Sequence, residues 1–218
     1  ATGEAFAKVA ALCMVGKTLA EQGLTEDPAP THVAVKESVF PFNRFAGEDT
    51  ILGPEMKSTG EVMGLAQDFA TAFAKSQHAA GQKLPTGGKV FMSVKDEDKP
   101  VVVELGRKLS ELGFQLLATG GTHRALAEAG VPAEHILKVK EGRPHVVDKL
   151  VDGEIALVIN TTFGKKEISD SFSIRREALN HGLPYFTTVQ AARMAVTAIE
   201  ALRHTPYEAR TLQEYLGR

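Results

Sequence analysis

Cysteine is nearly absent from this sequence, and its scarcity excludes several kinds of site. The 218 residues contain one cysteine, Cys13. A single thiol cannot form a disulfide within the chain, and it cannot supply a zinc site built on pairs of thiols. Because Cys13 lies in an apolar run with helical spacing, we expect it to be a small buried hydrophobic residue.

Long apolar runs and an excess of one charge are missing as well. No stretch approaches the roughly 20 apolar residues that a membrane helix needs, and no secretory signal opens the chain. These absences predict a cytoplasmic protein without membrane contact. The 25 Lys and Arg residues nearly balance 27 Asp and Glu residues, which disfavours nucleic acid as a partner. Because the chain begins with Ala1 rather than methionine, we expect it to be the end of a longer protein.

The common motifs of catalysis are also missing. The seven histidines show no pair with metal-ligand spacing, and neither a GxSxG elbow nor a Walker glycine-rich loop occurs. The segment EGRPH (residues 141–145) holds reactive side chains, but Gly142 and Pro144 also explain it as an ordinary turn. We therefore expect no catalytic residue and no metal site in this chain, which suits a binding module better than an enzyme.

A change in composition divides the chain into two parts. Residues 80–88 are rich in glycine, proline and polar residues, and we place the linker at residues 83–88. Residues 1–82 show a helix over 5–22, an irregular strand over 33–45 and a second helix. The capping-box spacing at Ser58 predicts the start of that second helix, with Val62, Leu65 and Phe73 on its apolar face. This first part buries little surface alone, so we expect an incomplete domain.

The second part, residues 89–204, alternates short apolar strands with helices. Strands are predicted at 89–94, 114–118, 136–139, 155–159 and 185–188, and helices at 100–112, 122–129, 145–151, 168–181 and 189–202. Such alternation indicates crossover connections. The predicted fold class is therefore α/β, a mostly parallel sheet flanked by helices and preceded by a partial α+β segment. Residues 205–218 are expected to form a polar tail.

Two predicted strand ends carry clusters of glycine and small polar residues. The clusters are Thr119, Gly120, Gly121 and Thr122 after the second strand, and Asn160, Thr161 and Thr162 after the fourth. Glycine lets the backbone approach a ligand, threonine offers a hydroxyl, and a helix start presents unpaired N–H groups. Because ligands gather at the carboxyl ends of parallel strands, we predict a shared anion site, most simply for a phosphate.

Lysines supply positive charge at the same edge of the predicted sheet. They are Lys99, Lys138, Lys165 and Lys166. The plain alternative is a tight capped turn beside solvated surface lysines.

Longer motifs identify a family resemblance over essentially the whole chain. The run LGPEMKSTGEVMG (residues 52–64) is similar to a signature near the end of an ATP-grasp unit. The runs ATGGT (118–122), KVKEGRPH (138–145) and INTTFGKK (159–166) are similar to a methylglyoxal-synthase-like regulatory domain. Together they resemble the carboxyl-terminal end of the large subunit of carbamoyl phosphate synthase.

The resemblance implies the end of the second ATP-grasp unit at residues 1–82 and a methylglyoxal-synthase-like regulatory domain at residues 89–204. The whole glutamine-dependent enzyme would make carbamoyl phosphate from bicarbonate, glutamine-derived ammonia and two ATP, for arginine and pyrimidine biosynthesis. ATP with Mg, Mn and K would bind in the full subunit outside this fragment. A small glutaminase subunit would supply ammonia, and the full enzyme would be oligomeric. The fragment alone is not expected to be catalytic.

The resemblance also implies two effector sites. The nucleotide UMP or IMP would contact the predicted phosphate site, with Asp170 and Ser171 near its base or ribose. Ornithine would bind between the two parts, at Glu37, Leu52, Tyr185 and Thr187. Gly120 and Phe163 differ from the residues of some members, which bears on nucleotide choice, and Phe186 differs in a way that bears on the ornithine response.

Two enzymes of related fold are the alternatives. A methylglyoxal synthase-type lyase, which acts on dihydroxyacetone phosphate, needs an aspartate in the loop that here reads EGRPH. The inosinate cyclohydrolase domain has a similar GGT turn, but its VKTLHP-type segment is missing here. A regulatory domain is therefore the favoured prediction.

Overall fold

The computed structural model describes residues 1–40, 42, 60–162, 164–204 and 208–217, except for the side chains of residues 165–167. The first part contains α1 (Phe6–Met14), β1 (Val33–Val39), β2 (Gly60–Ala66) and α2 (Phe69–Ala79). The second part contains β3 (Lys89–Ser93), α3 (Lys99–Glu111), β4 (Gln115–Ala118), α4 (Gly120–Glu128), β5 (Glu134–His135), α5 (Val146–Val151), β6 (Ile155–Asn160), α6 (Gly164–Asp170), α7 (Phe172–Asn180), β7 (Tyr185–Phe186) and α8 (Val189–His204). A short helix, α9 (Leu212–Tyr215), follows.

The second part is built on a five-stranded sheet in the order β5-β4-β3-β6-β7, with every pair parallel. Alternate residues of the central strand enter different cores. Val90 and Met92 pack with residues of α3, α4 and α8, whereas Phe91 packs with residues of α5 and α7. Strands that are buried on both faces read as continuous apolar runs, which is why these segments were recognisable. The predicted α/β fold with a parallel sheet is confirmed.

The strand order creates a switch in chain direction beside β3. The chain moves outward from β3 through β4 to β5, and then returns to place β6 on the opposite side of β3. The carboxyl ends of β4, β3 and β6 are therefore neighbours. Crevices at such switch points are the usual ligand sites of open α/β sheets.

The first part packs on the second through α2. Phe73 and Ala74 of this helix belong to the same buried cluster as Val90 of β3 and Val196 of α8. The antiparallel pair β1–β2 lies against α2. At Gly64 of β2 the approach is so close that a Cβ atom would lie 2.0 Å from the carbonyl oxygen of Ala72.

The predicted helix beginning near Ser58 is wrong over its first turns. Val62 and Leu65 belong to β2, and the helix begins only at Phe69. Asp68 marks that start, because its carboxylate accepts a hydrogen bond of 2.9 Å from the backbone N–H of Thr71. Pairing with β1 outweighed the local helical pattern. Ser58 and Thr59 lie outside the described residues.

Four other predictions need correction. Cys13 is exposed, since α1 has no buried residue in this chain, and α1 ends at Met14 rather than near residue 22. The strand predicted at 136–139 is instead the two-residue β5, and the helix predicted at 168–181 is split into α6 and α7. The domain boundaries and the polar tail stay predictions.

Candidate functional site

Polar side chains from three strand ends meet at the carboxyl edge of the sheet. The hydroxyl oxygens of Ser93, the last residue of β3, and Thr119, directly after β4, lie 2.8 Å apart. The backbone N–H of Thr161, after β6, donates to the carbonyl of Ser93 at 3.1 Å. The convergence expected from the two threonine clusters therefore exists, and β3 between them adds a third strand end.

These strand ends form the floor of a cavity of about 500 Å³. Of the residues predicted for the nucleotide site, all but Gly120 line it: Lys99, Thr119, Gly121, Thr122, Lys138, Asn160, Thr161, Thr162, Asp170 and Ser171. The volume is within the usual range for small-molecule sites. The structure thus brings together residues that are up to 72 positions apart in sequence, from Lys99 to Ser171. Their role in binding stays a prediction.

The cavity also has lining residues that were not predicted. They are Ser93, Val94, Lys95, Asp96, Glu97, Val139, Lys140, Glu141 and Ile174. Most belong to the loop after β3 or to the segment before α5. The end of the strand predicted at 89–94 was the available signal, because Ser93 lies beside that end. The acidic run Asp96–Asp98 directly before Lys99 was a second signal.

The threonine hydroxyls differ in what they can offer a ligand. The oxygen of Thr122 accepts the backbone N–H of Val94 at 3.0 Å, and its proton has no acceptor within the described part of the chain. Thr161 accepts the N–H of Lys95 at 3.2 Å and donates its only hydroxyl proton to Asp98 at 2.6 Å. A hydroxyl has one donor, so Thr122 is available to an anion whereas Thr161 is already committed.

Lys99 brings positive charge to the start of α4. A Cβ atom on Gly121 would lie 3.1 Å from the Lys99 Nζ atom, so the ammonium rests against the first turn of that helix. Backbone N–H groups at a helix start add partial positive charge. The absence of a side chain at Gly121 leaves this approach open. The combination is suited to a phosphate group.

Carboxylates of the chain pair with the cavity's lysines. Asp96 lies 2.6 Å from the Lys99 ammonium, and the hydrogen bond from Lys99 holds the pKa of Asp96 below its ordinary value, with a smaller contribution from the charge of Lys138. Lys140 pairs with Asp170. Lys165 and Lys166 were also predicted to supply positive charge, and their side chains lie outside the described part of the structure. Two of the lysines that line the cavity, Lys99 and Lys140, are therefore ion-paired within the chain.

The EGRPH segment has a structural role at its carboxyl end. His145 caps α5, where its ring accepts the N–H of Asp148, and Asp148 in return accepts the N–H of His145 at 2.8 Å. That backbone hydrogen bond lowers the pKa of Asp148, and the charge of Arg143 lowers it further. These contacts favour the interpretation of this segment as a turn, although Glu141 lines the cavity.

The residues predicted for ornithine have different neighbours. Glu37 of β1 accepts a hydrogen bond of 3.0 Å from Gln77 of α2. Tyr185 of β7 accepts one of 2.8 Å from Asn160, which lines the cavity described above. Thr187 is exposed, and Leu52 and Phe163 lie outside the described residues. Burial raises the pKa of Glu37, an effect that the Gln77 hydrogen bond partly offsets. These contacts do not join the predicted residues into one pocket.

Two further features are absent from the described residues. No group of three or more potential metal-ligating side chains occurs there. None of the helices in that part of the chain combines the length and apolar character that crossing a membrane requires.

The class of the second part follows from a family model. The model described as an MGS-like domain matches residues 101–187, which include all but the first two residues of α3, the elements from β4 to β7, and most residues of the cavity. The second part is therefore an MGS-like domain. Solved structures with a similar arrangement include methylglyoxal synthase from Elizabethkingia anophelis NUHP1 (18% identity, 62% of this chain and 93% of that chain, TM-score 0.42) and ForH (19% identity, 60% and 86%, TM-score 0.41).

Curated relatives identify the chain more closely. It is 70% identical over 217 residues to the carbamoyl phosphate synthase large chain of Myxococcus xanthus, covering 100% of this chain and 20% of the relative. The large chain of Nostoc sp. is 48% identical (99% and 20% coverage), and that of Xanthomonas campestris pv. campestris is 54% identical (92% and 18%). The chain is thus related over its whole length to carbamoyl phosphate synthase large chains, which confirms the resemblance. It spans about a fifth of their length.

Proposed function

We propose that this chain is the regulatory part of a carbamoyl phosphate synthase large subunit and that its cavity binds a nucleoside monophosphate, UMP or IMP. The observation that carries the proposal is the meeting of hydroxyl groups from three strand ends with the ammonium of Lys99 at the start of α4. A phosphate needs several hydrogen-bond donors and positive charge at one point. The start of α4 offers both the hydrogen-bond donors and the positive charge.

The phosphate would lie on the cavity floor. Lys99, the Thr122 hydroxyl and the first N–H groups of α4 are its donors, with Lys138 of the cavity lining contributing further positive charge. The Ser93–Thr119 pair shares one proton between its two oxygens, so its second proton is available as well. Asp170 and Ser171 lie on the wall of the cavity and would face the ribose or the base.

Calorimetry of the intact protein tests the proposal. We expect UMP or IMP to bind with one site, and the nucleosides uridine and inosine to bind far more weakly because they lack the phosphate. Failure of both nucleotides to bind would contradict the proposed function. The lyase alternative predicts release of phosphate from dihydroxyacetone phosphate, and steady turnover in that assay would replace regulation by catalysis.

Replacing Thr122 by valine is expected to weaken UMP or IMP binding about tenfold, because the phosphate loses a buried hydroxyl donor. Thr122→Ser restores the hydroxyl and should retain most of the affinity. Thr161→Val is the matched control, since the Thr161 proton is given to Asp98. We expect it to lower the melting temperature more than the affinity. Equal affinity losses at both positions, with unchanged melting temperatures, would contradict this donor assignment.

We also propose ornithine as a second effector, recognised at Glu37. This carboxylate is partly buried and accepts a hydrogen bond from the neutral amide of Gln77. A partly buried anion gains from an ammonium group, which ornithine would supply. Tyr185 and Thr187 belong to this proposal through the resemblance alone.

Glu37→Gln is expected to abolish ornithine binding while slightly stabilising the fold at neutral pH. Because the folded-state pKa of Glu37 is raised, the unfolding free energy of the wild type falls as pH rises from the ordinary glutamate value through the raised value. Glu37→Gln has no ionisable group at this position, so its unfolding free energy does not fall for this reason as the pH rises. In thermal melts, the melting temperature of the variant should exceed that of the wild type by roughly 1–3 °C at neutral pH, as expected for a half-exposed group, and this difference should shrink towards acid pH. A lower melting temperature for the variant at neutral pH would contradict this assignment.

The remaining features of the full enzyme belong to the same proposal. They are the synthesis of carbamoyl phosphate for arginine and pyrimidine production, ATP-grasp catalysis with ATP and its metal ions outside this chain, a small glutaminase subunit, and oligomerisation. The homologues are large chains of this ligase, and we propose that the present residues regulate rather than catalyse. A reducing compartment such as the cytoplasm suits the single exposed thiol of Cys13.

Contacts within the fold offer a route for regulation. Lys99 begins α3, which packs against α8 and is joined to it by the Glu104–Arg193 ion pair at 3.0 Å. Helix α8 packs against α2, whose Gln77 holds Glu37. A ligand that favours one arrangement of these helices over another would change the position of β1. Reciprocal changes in UMP and ornithine affinity are the expected sign of such coupling.

A further inference from the structure

Two of the lysines that line the cavity have carboxylate partners from their own loop. Lys99 pairs with Asp96 at 2.6 Å, and Lys95 pairs with Glu97 at 2.9 Å. Both carboxylates belong to the short 3₁₀ turn Asp96–Asp98, which leads directly into α3. A phosphate that enters the cavity therefore meets a lysine that already has an anion beside it.

The pair of Asp96 and Lys99 is asymmetric in exposure. The Asp96 side chain is 92% exposed, whereas that of Lys99 is 27% exposed and rests against Gly121 on the cavity floor. The carboxylate therefore stands at the mouth and the ammonium lies inside. An ion pair with one member so exposed adds little to folding, so a stabilising role does not explain the position of Asp96.

We propose that Asp96 competes with the phosphate of the ligand for Lys99 and thereby sets the affinity of the cavity, an inference that rests on the proposed function. A lysine ammonium is a compact charge with three donors on a flexible stem. Binding of a phosphate brings a second anion to the same ammonium. The charge of Asp96 then repels the phosphate, and the original pair is weakened or broken.

Replacement of Asp96 by asparagine removes the competing charge and keeps the size of the side chain. We expect Asp96→Asn to tighten UMP or IMP binding about three- to fivefold, the range set by the strength of an exposed ion pair. Uridine and inosine should bind with unchanged affinity, because they carry no phosphate. The melting temperature should also be unchanged, since Asp96 is exposed.

Two further variants distinguish competition for Lys99 from a general effect of removing one negative charge. Glu111→Gln removes one carboxylate at the far, exposed end of the same helix, and it should leave the affinity unchanged. In a Lys99→Ala background, Asp96→Asn should no longer tighten binding, because the contested ammonium is absent. Calorimetry of the intact protein and its variants measures all of these affinities.

The outcomes distinguish this inference from the proposed function. If the wild type binds neither UMP nor IMP, the proposed function fails. If the wild type binds but Asp96→Asn has the affinity of Glu111→Gln, the competition does not exist. If Asp96→Asn tightens binding equally with and without Lys99, the effect comes from the overall negative charge near the cavity. Competition between Asp96 and the phosphate for Lys99 is then excluded.

Discussion

Lys99→Ala is expected to weaken UMP or IMP binding roughly ten- to a hundredfold. Hydrogen bonds to charged groups contribute about 1.5–3 kcal/mol, which corresponds to that range of affinity. Lys99 is placed for this role because its ammonium lies against Gly121, at the point where α4 begins. The variant loses the point charge that Lys99 holds against the first turn of α4. Calorimetry with the nucleotide and its nucleoside would show that the loss follows the phosphate.

Lys108→Ala is the matched control for this loss. Lys108 lies two turns and more along the same helix, at the surface, where it pairs with Glu200 at 3.8 Å. The two variants change the net charge equally. We expect Lys108→Ala to bind the nucleotide like the wild type. Equal affinities for the Lys99 and Lys108 variants would exclude the cavity as the phosphate site.

Gly64→Ala is expected to destabilise the fold by about 3 kcal/mol, towards the upper end of the cost of overpacking. The added methyl group would lie 2.0 Å from the carbonyl oxygen of Ala72 and 2.6 Å from the backbone nitrogen of Ser76. Both atoms are backbone, so the collision cannot be relieved by a change of rotamer. Helix α2 must instead move away from β2. Because Phe73 and Ala74 of α2 pack in the main core, that movement also disturbs the second part.

Gly60→Ala provides the comparison within the same strand. A Cβ atom on Gly60 has no neighbour within 4 Å among the residues that the structure describes, so we expect a change of at most about 0.5 kcal/mol. In thermal melts, the Gly64 variant should have a melting temperature roughly 6–12 °C below that of the wild type. The Gly60 variant should melt at about the wild-type temperature. A Gly64 variant that melts like the wild type would mean that α2 does not depend on this close contact.

Sequence periodicity was most reliable in the second part, where burial on both faces of the sheet produced unbroken apolar runs. The segment IALVI reads as a strand without ambiguity, and it forms β6 together with Asn160. The first part was less readable. Val62 and Leu65 suit one face of a helix as well as alternate positions of a strand, and only pairing with β1 resolves this ambiguity.

The candidate site was predictable where chemistry and chain position coincide. Thr119 and Thr122 follow one strand directly, and Asn160 and Thr161 follow another, so their edge of the sheet could be deduced. The role of each of these residues could not be deduced from the sequence. Thr122 and Thr161 look alike in sequence, yet one keeps its proton and the other donates it to Asp98 across the cavity floor. Such a difference depends on contacts between residues far apart in the chain.

The sequence by itself determined the parallel α/β sheet, the family relationship and the edge of the sheet that carries the polar clusters. These follow from local patterns, because strand burial and strand-end composition are written in consecutive residues. Only the tertiary structure decided that β3 lies between β4 and β6, that the ammonium of Lys99 rests against Gly121 of α4, and that Cys13 is exposed. Each of these depends on how distant segments pack, and packing is a property of the whole fold that no short segment encodes.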